Sequence, residues 1–508
     1  MKPARRTITR GNSWLESSAP WALADGAERF VEANMTAFIS ARGVDSVAVD
    51  EVTAAIMTIP DKGRPLRFRI ALTISAIVLG GLFSLGTRSR PAVLTPAPRE
   101  QTKVSLSDEG ATQAAIRFYL ARVERDPEDT RSQNTLAEYY LQAVRESGNE
   151  DYLPRALAAA HASVDTVVPE RNVGGLTALA RCEFSNHNFA AARDHAMTLI
   201  TLNPGKSEPF AILGDAQLEL GDYDAATKAF AEMERLSPED SGTHTRLARA
   251  AFLRADPNDA KAHLWRALKL LSGQPDPPRE AVAWCRWQLG EIAFSAGDDQ
   301  KAERCYREAL ADLPNSFRAL AALGRVCARR GDFPAAIMLY EQAVRIAPDV
   351  NSMAALGDLY TQAGRAADAG VRFELVEQLG EHSRKIHNSP FNRNLALFYA
   401  DHDLKAEEAY ALAQGEYAAG RHDVYGADAL AWTALKAGRI AEAQSAMEEA
   451  LRLGTLDARF FYHAGMIARA AGENATAVEF LKHALALNPH FDLLQSKVAQ
   501  DALEGLAR

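Results

Sequence analysis

The first residues to examine for chemistry are Gly205, Lys206 and Ser207, because a glycine, a lysine and a hydroxyl in this order end a phosphate-binding loop. Such a loop needs a further glycine at the position that Ile200 occupies in this chain. It also follows a strand, and the residues before Gly205 do not read as one. The segment is therefore predicted to be a turn between helices and not a nucleotide site.

The histidines and cysteines lack the spacing of a metal site or of an activated nucleophile. His382 and His387 are five residues apart, whereas two ligands on one helix face are four apart, so they are predicted to be surface or turn residues. His463, beside Tyr462 at a packing position, is predicted to be structural. The four cysteines contain no CxxC pair and are predicted to be small buried side chains: Cys182, Cys285, Cys305 and Cys327.

Composition narrows the function further. The net charge of −9 gives no cationic surface excess with which to hold nucleic acid, and 47% hydrophobic with 24% charged residues is typical of a folded protein. The chain contains neither a GxSxG nor an HExxH motif. We therefore predict a protein that is not an enzyme and has no cofactor and no metal, with an unrecognised active site as a remote alternative.

The elements that must position any site are paired helices. Residues 317–348 are predicted to form two amphipathic helices joined by Arg-Gly-Asp and ended by Pro348. The same residue pattern occurs 34 residues earlier. A fixed period of this length is typical of a solenoid, because one hairpin cannot bury its apolar face alone. Units begin near residues 173, 207, 241, 283, 317, 350, 389, 424 and 458, and the unit near 389 is degenerate.

These units resemble the tetratricopeptide repeat family, whose first helix carries Leu-Gly and whose second carries an alanine, an aromatic residue and a closing proline. The unit at 207 shows the pattern with Phe210, Leu213, Gly214, Gly221, Tyr223, Ala226, Phe230 and Pro238. The resemblance implies an all-α fold, a right-handed superhelical solenoid of about nine to ten helix hairpins. It covers residues 111–491, and residues 492–508 are predicted to form a capping helix.

The chain before the array contains a predicted transmembrane helix. Residues 70–87 are 18 uncharged residues bracketed by basic ones, and as a helix they span ~27 Å, close to the ~30 Å of a bilayer core. Residues 1–69 are predicted to be partly disordered and to form either a small helical motif or a free tail, and residues 88–110 are predicted to be a proline-containing linker. Net charges of +2 on residues 1–69 and −11 on residues 88–508 favour a cytoplasmic N-terminus and an extracytoplasmic solenoid in the cell membrane.

The resemblance also implies where a partner binds, because the first helices of such hairpins line a concave groove. The positions that face the groove in this family correspond to Trp284, Trp287, Glu291, Phe294, Arg318, Arg325, Arg329, Tyr425, Asp428, Trp432, Arg459, Tyr462 and Arg469. Aromatic and arginine side chains supply much of the energy of protein interfaces. The arginines at 318, 325 and 329 form a basic strip, which is suited to a partner with acidic groups.

The resulting hypothesis is a single-pass, membrane-anchored scaffold that holds a protein or peptide partner in its solenoid groove. An alternative within binding is an assembly or maturation factor resembling the membrane-anchored tetratricopeptide subunits of cytochrome c biogenesis. The expected contacts are a protein or peptide in the groove and the lipid bilayer along residues 70–87, with no nucleic acid.

Overall fold

The computed structural model describes residues 108–387 and 392–506, which lie within one compact unit, Val104–Arg508. The predicted transmembrane helix at 70–87, the segment 1–69 and most of the linker 88–110 lie outside the described residues. None of the helices in the described ranges combines the length and the apolar character needed to cross a bilayer.

The described residues form 22 helices and contain no strand. The first eleven are α1 (Asp108–Arg125), α2 (Thr130–Ser147), α3 (Tyr152–Thr166), α4 (Val173–Ser185), α5 (Phe189–Leu202), α6 (Ser207–Glu219), α7 (Tyr223–Leu236), α8 (Ser241–Leu253), α9 (Pro257–Ser272), α10 (Arg279–Ser295) and α11 (Asp299–Asp312). The others are α12 (Phe317–Arg329), α13 (Phe333–Ile346), α14 (Val350–Gln362), α15 (Ala366–His387), α16 (Arg393–Asp401), α17 (Ala406–Ala418), α18 (Val424–Lys436), α19 (Ile440–Leu451), α20 (Ala458–Ala470), α21 (Asn474–Leu487) and α22 (Gln495–Leu506).

Helices α2 to α21 pack as ten consecutive hairpins, with α1 before them and α22 after them. The all-α solenoid expected from the repeat is therefore present. Seven of the nine predicted unit starts are the first residues of helices, and the other two differ by four residues, at Arg279 and Arg393. Helix α1 begins at Asp108, three residues before the predicted start of the array.

Local sequence explains the turn inside each hairpin. Gly331 has φ 75°, a left-handed conformation that a side chain disfavours, and it ends α12. Asp332 follows as the N-cap of α13, where its carboxylate accepts the Ala335 backbone N–H. Gly221 with Asp222 repeats this pair at the start of α7. The glycine reverses the chain and the aspartate satisfies an amide that has no intrahelical partner.

The two helices of a hairpin fit by placing a glycine against an aromatic ring. A Cβ on Gly214 would lie 2.3 Å from Cε1 of Phe230, and one on Gly290 would lie 2.3 Å from Cε1 of Tyr306. These spaces are filled because Phe230 and Tyr306 are both fully buried. The glycine of the Leu-Gly pair in the first helix thus leaves the space that the aromatic ring of the second helix fills.

Candidate partner-binding surface

The first helices of neighbouring hairpins form an inner layer. Helix α2 contacts α4, α14 contacts α16, and α18 contacts both α16 and α20. The array curves tightly between α16 and α22. Gln495, at the start of α22, donates to the Asp401 carbonyl at the end of α16, three hairpins earlier, at 3.0 Å. Side chains on the inner layer therefore meet partners from several repeats.

Four of the predicted groove residues lie inside the packed core and not on an open groove. Phe294, Asp428, Trp432 and Tyr462 are between 1% and 6% exposed. Trp432 donates its indole N–H to Asp401 at 2.9 Å and stacks on His463, with ring centroids 4.2 Å apart. For Asp428, Trp432 and Tyr462 the physical reason is the tight curvature, which brings neighbouring first helices into contact. Phe294 is buried because it packs with Tyr306 and Leu323 under two arginine side chains of α12. For these four residues the expectation of an accessible groove position requires correction.

The other predicted groove residues keep some exposure. Trp284, Trp287, Glu291, Arg325, Arg329, Tyr425 and Arg459 are half-buried, and Arg318 and Arg469 are exposed. Trp284 and Trp287 lie together on α10, with ring centroids 6.4 Å apart. Tyr425 packs edge-on against Phe460 at 5.1 Å.

The arginine strip is already largely neutralised by the protein's own carboxylates. Arg325 donates Nη2 to both oxygens of Glu291, at 2.6 and 2.8 Å. Burial opposes the charged form of Arg325, but Glu291 outweighs it and raises the pKa of the guanidinium above its ordinary value. Arg329 lies 2.6 Å from Asp299, and both guanidinium groups cover the Phe294 ring, at 3.9 and 4.6 Å. The predicted free basic strip therefore reduces to Arg318.

A cavity that the sequence interpretation missed opens on the inner side of the first hairpins. It has a volume of about 670 Å³ and is lined mainly by residues of α2, α4, α6 and α8, with Leu153 of α3 and Met233 of α7. Its cations are Arg145, Arg181 and Arg246, and its wall includes Leu141, Val144, Phe184, Ile212 and Met233. A signal for it existed, because Arg181 and Asp215 occupy in the units at 173 and 207 the same register position as Glu291 and Arg325.

Two of the cavity's arginines are paired. Arg181 lies 3.2 Å from Glu138 and 3.5 Å from Glu208, and Arg246 lies 2.8 Å from Asp215. These pairs fix the guanidinium groups against the wall and leave their charges compensated. Arg145 is the cavity cation that has no such carboxylate among the described residues.

Successive turns of the array touch each other along what we call the turn-to-turn seam, formed by contacts between residues about six hairpins apart. Its contacts include Tyr223 Oη accepting from the Val424 amide at 2.8 Å, Thr455 Oγ1 donating to the Leu253 carbonyl at 2.6 Å, and Asn488 Nδ2 donating to the Phe294 carbonyl at 2.9 Å. Residues of both turns also share one hydrophobic core, in which Phe230 and Phe460 are buried together. Hydrogen bonds and a shared core therefore join the two turns along the seam.

An ion cluster reinforces the seam. Glu219 at the end of α6 contacts Arg249 and accepts Arg421 Nη2 at 2.6 Å, from 202 residues further along the chain. Burial raises the pKa of Glu219, but the charges of Arg249 and Arg421 outweigh it and lower the pKa to about 2. Arg421 is also 3.3 Å from Glu416 and from Asp423.

The residues first considered for catalysis or metal binding lie at a helix cap, on the surface, in the core and at a helix end. Lys206 is the N-cap of α6, in a turn between hairpins, as the sequence predicted. His382 lies on the surface 3.1 Å from Asp151, and His463 is buried with Nδ1 2.7 Å from Asp428. His387 is the last residue of α15. Within residues 108–387 and 392–506 no group of three His, Cys, Asp or Glu side chains is arranged to hold a metal ion.

The cysteines are unpaired, and each lies in a helix. Cys182 and Cys285 are buried, and Cys305 and Cys327 are half-buried. Burial raises the pKa of all four thiols, that of Cys285 to about 12. A thiol with a raised pKa is a poor nucleophile near neutral pH, so the described structure gives these side chains a packing role.

Comparison with known proteins supports the repeat assignment. Models of the tetratricopeptide repeat match residues 240–315 and, in a second version, residues 176–241, 288–351 and 429–490. No curated protein sequence matches the chain. Solved structures that resemble part of it include MamA (24% identity, 34% of this chain and 97% of that one, TM-score 0.28) and a thermophilic tetratricopeptide protein of Thermus thermophilus, TTC0263 (18% identity, 45% and 99%, TM-score 0.32).

Proposed function

We propose that this tetratricopeptide repeat protein is a membrane-anchored scaffold that binds a segment of a protein partner on the inner layer of its array. Tetratricopeptide repeats are protein-interaction modules, so the repeat itself supports a scaffold. The observation that favours the inner layer is the cavity of about 670 Å³, which combines an apolar wall with convergent charged side chains. An extended chain offers alternating apolar and polar groups to such a surface.

The accessible aromatic residues identify the part of the inner layer to test first. Trp284 and Trp287 belong to α10, the first helix of its hairpin, and retain partial exposure. Trp265, by contrast, is 55% exposed on α9, the second helix of the preceding hairpin. The two sites therefore offer a matched pair of tryptophans, one on the inner layer and one on a second helix.

Site-specific photo-cross-linking in native membranes tests the proposal. A photoreactive phenylalanine analogue placed at Trp284 should attach a protein partner, and the same group at Trp265 should not. Identification of the attached chain by mass spectrometry then names the partner. Attachment from position 265 with none from position 284 would show that binding uses the other face of the array.

The anchor is tested separately. The proposal assigns membrane attachment to residues 70–87, whose 18 uncharged residues carry the sequence argument. Deleting them should move the chain from the membrane to the soluble fraction after alkaline extraction. Retention of the deleted chain in the membrane fraction would refute this anchor.

A further inference from the structure

The first and last described helices of the array are halves of hairpins. Helix α1 lies where a second helix lies, because it packs on α2 and is followed by Pro127, Glu128 and Asp129, the same three residue types that follow α7 at 238–240. Helix α22 lies where a first helix lies, since it contacts both helices of the tenth hairpin, α20 and α21. Within the described ranges, α1 therefore has no first helix and α22 has no second helix.

Both end helices expose apolar side chains. Tyr119 occupies in α1 the position that Phe230 occupies in α7, counted back from the proline after each helix. Phe230 is 1% exposed because it packs on Gly214 of its own first helix, whereas Tyr119 is half-buried and the adjacent Phe118 is 56% exposed. On α22, Val498 is 40% exposed. Terminal units of a repeat array expose such surfaces when no neighbour covers them.

The turn-to-turn seam follows a fixed rule: the turn inside one hairpin meets the segment that precedes the sixth hairpin after it. A Cβ on Gly148, inside the first hairpin, would lie 2.9 Å from Cβ of Ala347, just before the seventh. A Cβ on Gly221, inside the third, would overlap the carbonyl of His422, just before the ninth. A Cβ on Gly297, inside the fifth, would lie 3.5 Å from the last carbonyl oxygen of α21, just before α22.

The equivalent turns inside later hairpins are open. A Cβ on the turn glycine of the sixth, seventh, ninth and tenth hairpins would have no described atom within 4 Å: Gly331, Gly364, Gly438 and Gly472. The φ angles of the covered and the open glycines lie in one range, 67° to 80°, so the turns have the same local form. The turn inside the eighth hairpin contains Leu404, which is 41% exposed. The turns inside the sixth to tenth hairpins, which we call the open turns, therefore continue the seam surface without a partner among the described residues.

We propose that these surfaces bind a second copy of this chain head to tail, so that α22 of one copy and α1 of the next form one composite hairpin. The first hairpin of the second copy then becomes the twelfth of the joined array, and the seam rule places the segment before it on Gly331 in the sixth. The segments before its second to fifth hairpins meet the remaining open turns in order. One arrangement thus covers both end helices and all the open turns. It goes beyond the scaffold function proposed above and does not depend on it.

Exposed apolar side chains are concentrated at the surfaces that would meet. Nine large hydrophobic side chains are exposed in the described ranges, and five of them lie on an end helix, in an open turn or in a segment before one of the first five hairpins: Phe118, Leu120, Val168, Leu404 and Val498. Removing these side chains from water supplies a favourable free energy of association.

The charges disfavour contact between two like ends. The segments before the first five hairpins contain seven acidic residues and two basic ones: Asp126, Glu128, Asp129, Glu170, Glu239, Asp240 and Asp276, with Arg171 and Lys206. The open turns contain four basic residues and three acidic ones: Arg330, Arg365, Lys405 and Arg439, with Asp332, Asp403 and Glu473. These basic residues already pair with carboxylates of their own chain, so the charge difference acts mainly through repulsion between two acidic ends. Since each added copy continues the same superhelix, head-to-tail contact produces open chains and not closed rings.

Size-exclusion chromatography with light scattering on the full-length chain in detergent tests the proposal. We expect the protein mass of the wild type to rise with concentration from 55.2 kDa through twice that value to longer chains. F118D alters the end that carries α1, whereas V498D and L404D alter the end that carries α22, and each variant alone should remain monomeric. An equal mixture of F118D and V498D should form dimers and nothing larger, because one intact end of each kind remains. A mixture of L404D and V498D should stay monomeric.

M338D is the matched control, because Met338 is 53% exposed on the second helix α13, away from both ends, and it should assemble like the wild type. Dimers in the F118D and V498D mixture also show that both variants are folded. Three results would overturn the proposal: a wild type that is monomeric at every concentration, dimers that persist in F118D alone, or a mixture of F118D and V498D without dimers. A monomeric wild type whose melting temperature falls in F118D would show that residues before 108 of the same chain cover α1 instead.

Discussion

Removing the charge of Glu219 should open the turn-to-turn seam. The carboxylate is 7% exposed and contacts Arg249 from the next hairpin and Arg421 from the next turn. Glu219→Gln keeps the shape and one hydrogen-bond acceptor and removes the negative charge that compensates both cations. The variant therefore probes the ion cluster without creating a cavity.

The size of the effect follows from the pKa of Glu219. Its ordinary value is 4.5 and its value in the fold is about 2. At ~1.4 kcal/mol per pKa unit, this corresponds to about 3 kcal/mol of stabilisation at neutral pH. Because Arg421 keeps Glu416 and Asp423 nearby, we expect E219Q to lose about 2 kcal/mol.

Hydrogen exchange measures the opening of the seam directly. The Val424 amide is at the start of α18, where a helix offers no backbone acceptor, so its protection depends on Tyr223 Oη at 2.8 Å. A loss of about 2 kcal/mol should speed its exchange about 30-fold. The control is E232Q, because Glu232 pairs with Arg235 on the surface and both are well exposed.

The pH dependence has a defined sign. Since folding lowers the pKa of Glu219, its stabilisation is complete above pH 4.5 and is lost as the pH falls towards 2. The difference between wild type and E219Q should shrink over that interval. Exchange at Val424 that rises less than threefold in E219Q, or no more than in E232Q, would refute the assignment of seam stability to this cluster.

Two further predictions concern the hairpins and a buried histidine. Gly214→Ala should lower the free energy of unfolding by about 1–3 kcal/mol, because its Cβ would overlap the Phe230 ring. Gly205→Ala should leave that free energy unchanged, because a Cβ there would have no atom within 4 Å. Urea denaturation compares the two variants, and equal midpoints would disprove the overlap. Burial lowers the pKa of His402, but its hydrogen bond to Asp358 outweighs this effect and raises the pKa above 6.5. The wild type should therefore lose stability as the pH rises through that raised pKa, whereas His402→Gln should show no such loss. An NMR titration of His402 with a midpoint below 6.5 would contradict the second prediction.

Much of the hairpin architecture follows from the sequence because its causes are local. Gly331 and Asp332 make the turn between α12 and α13 through backbone conformation and a capping hydrogen bond within the same hairpin. The contact between a glycine of the first helix and an aromatic ring of the second, as between Gly214 and Phe230, likewise recurs in every unit that keeps the Leu-Gly pair. Helix starts at 317, 350, 424 and 458 could thus be predicted from a period alone.

The candidate site was less predictable because it depends on how successive hairpins are rotated relative to one another. A family register places Arg325 and Trp432 on a groove, yet Arg325 is paired with Glu291 and Trp432 is enclosed by neighbouring first helices. The first follows from the register, which places Glu291 and Arg325 at equivalent positions of adjacent units, and the second from the tight curvature of the last hairpins. That curvature is a sum of small rotations between repeats, and no single unit of sequence encodes it.

Residue patterns alone therefore specify the repeat, its helices and the complementarity within each hairpin, since these involve residues within one or two units. The folded array is needed to show which inner-layer charges are compensated and which are not. Tyr223 on α7 meets Val424 on α18 because six hairpins bring the chain back into contact with itself. Contacts across such distances arise from the accumulated geometry of the array, which the spacing of residues along the chain does not reveal.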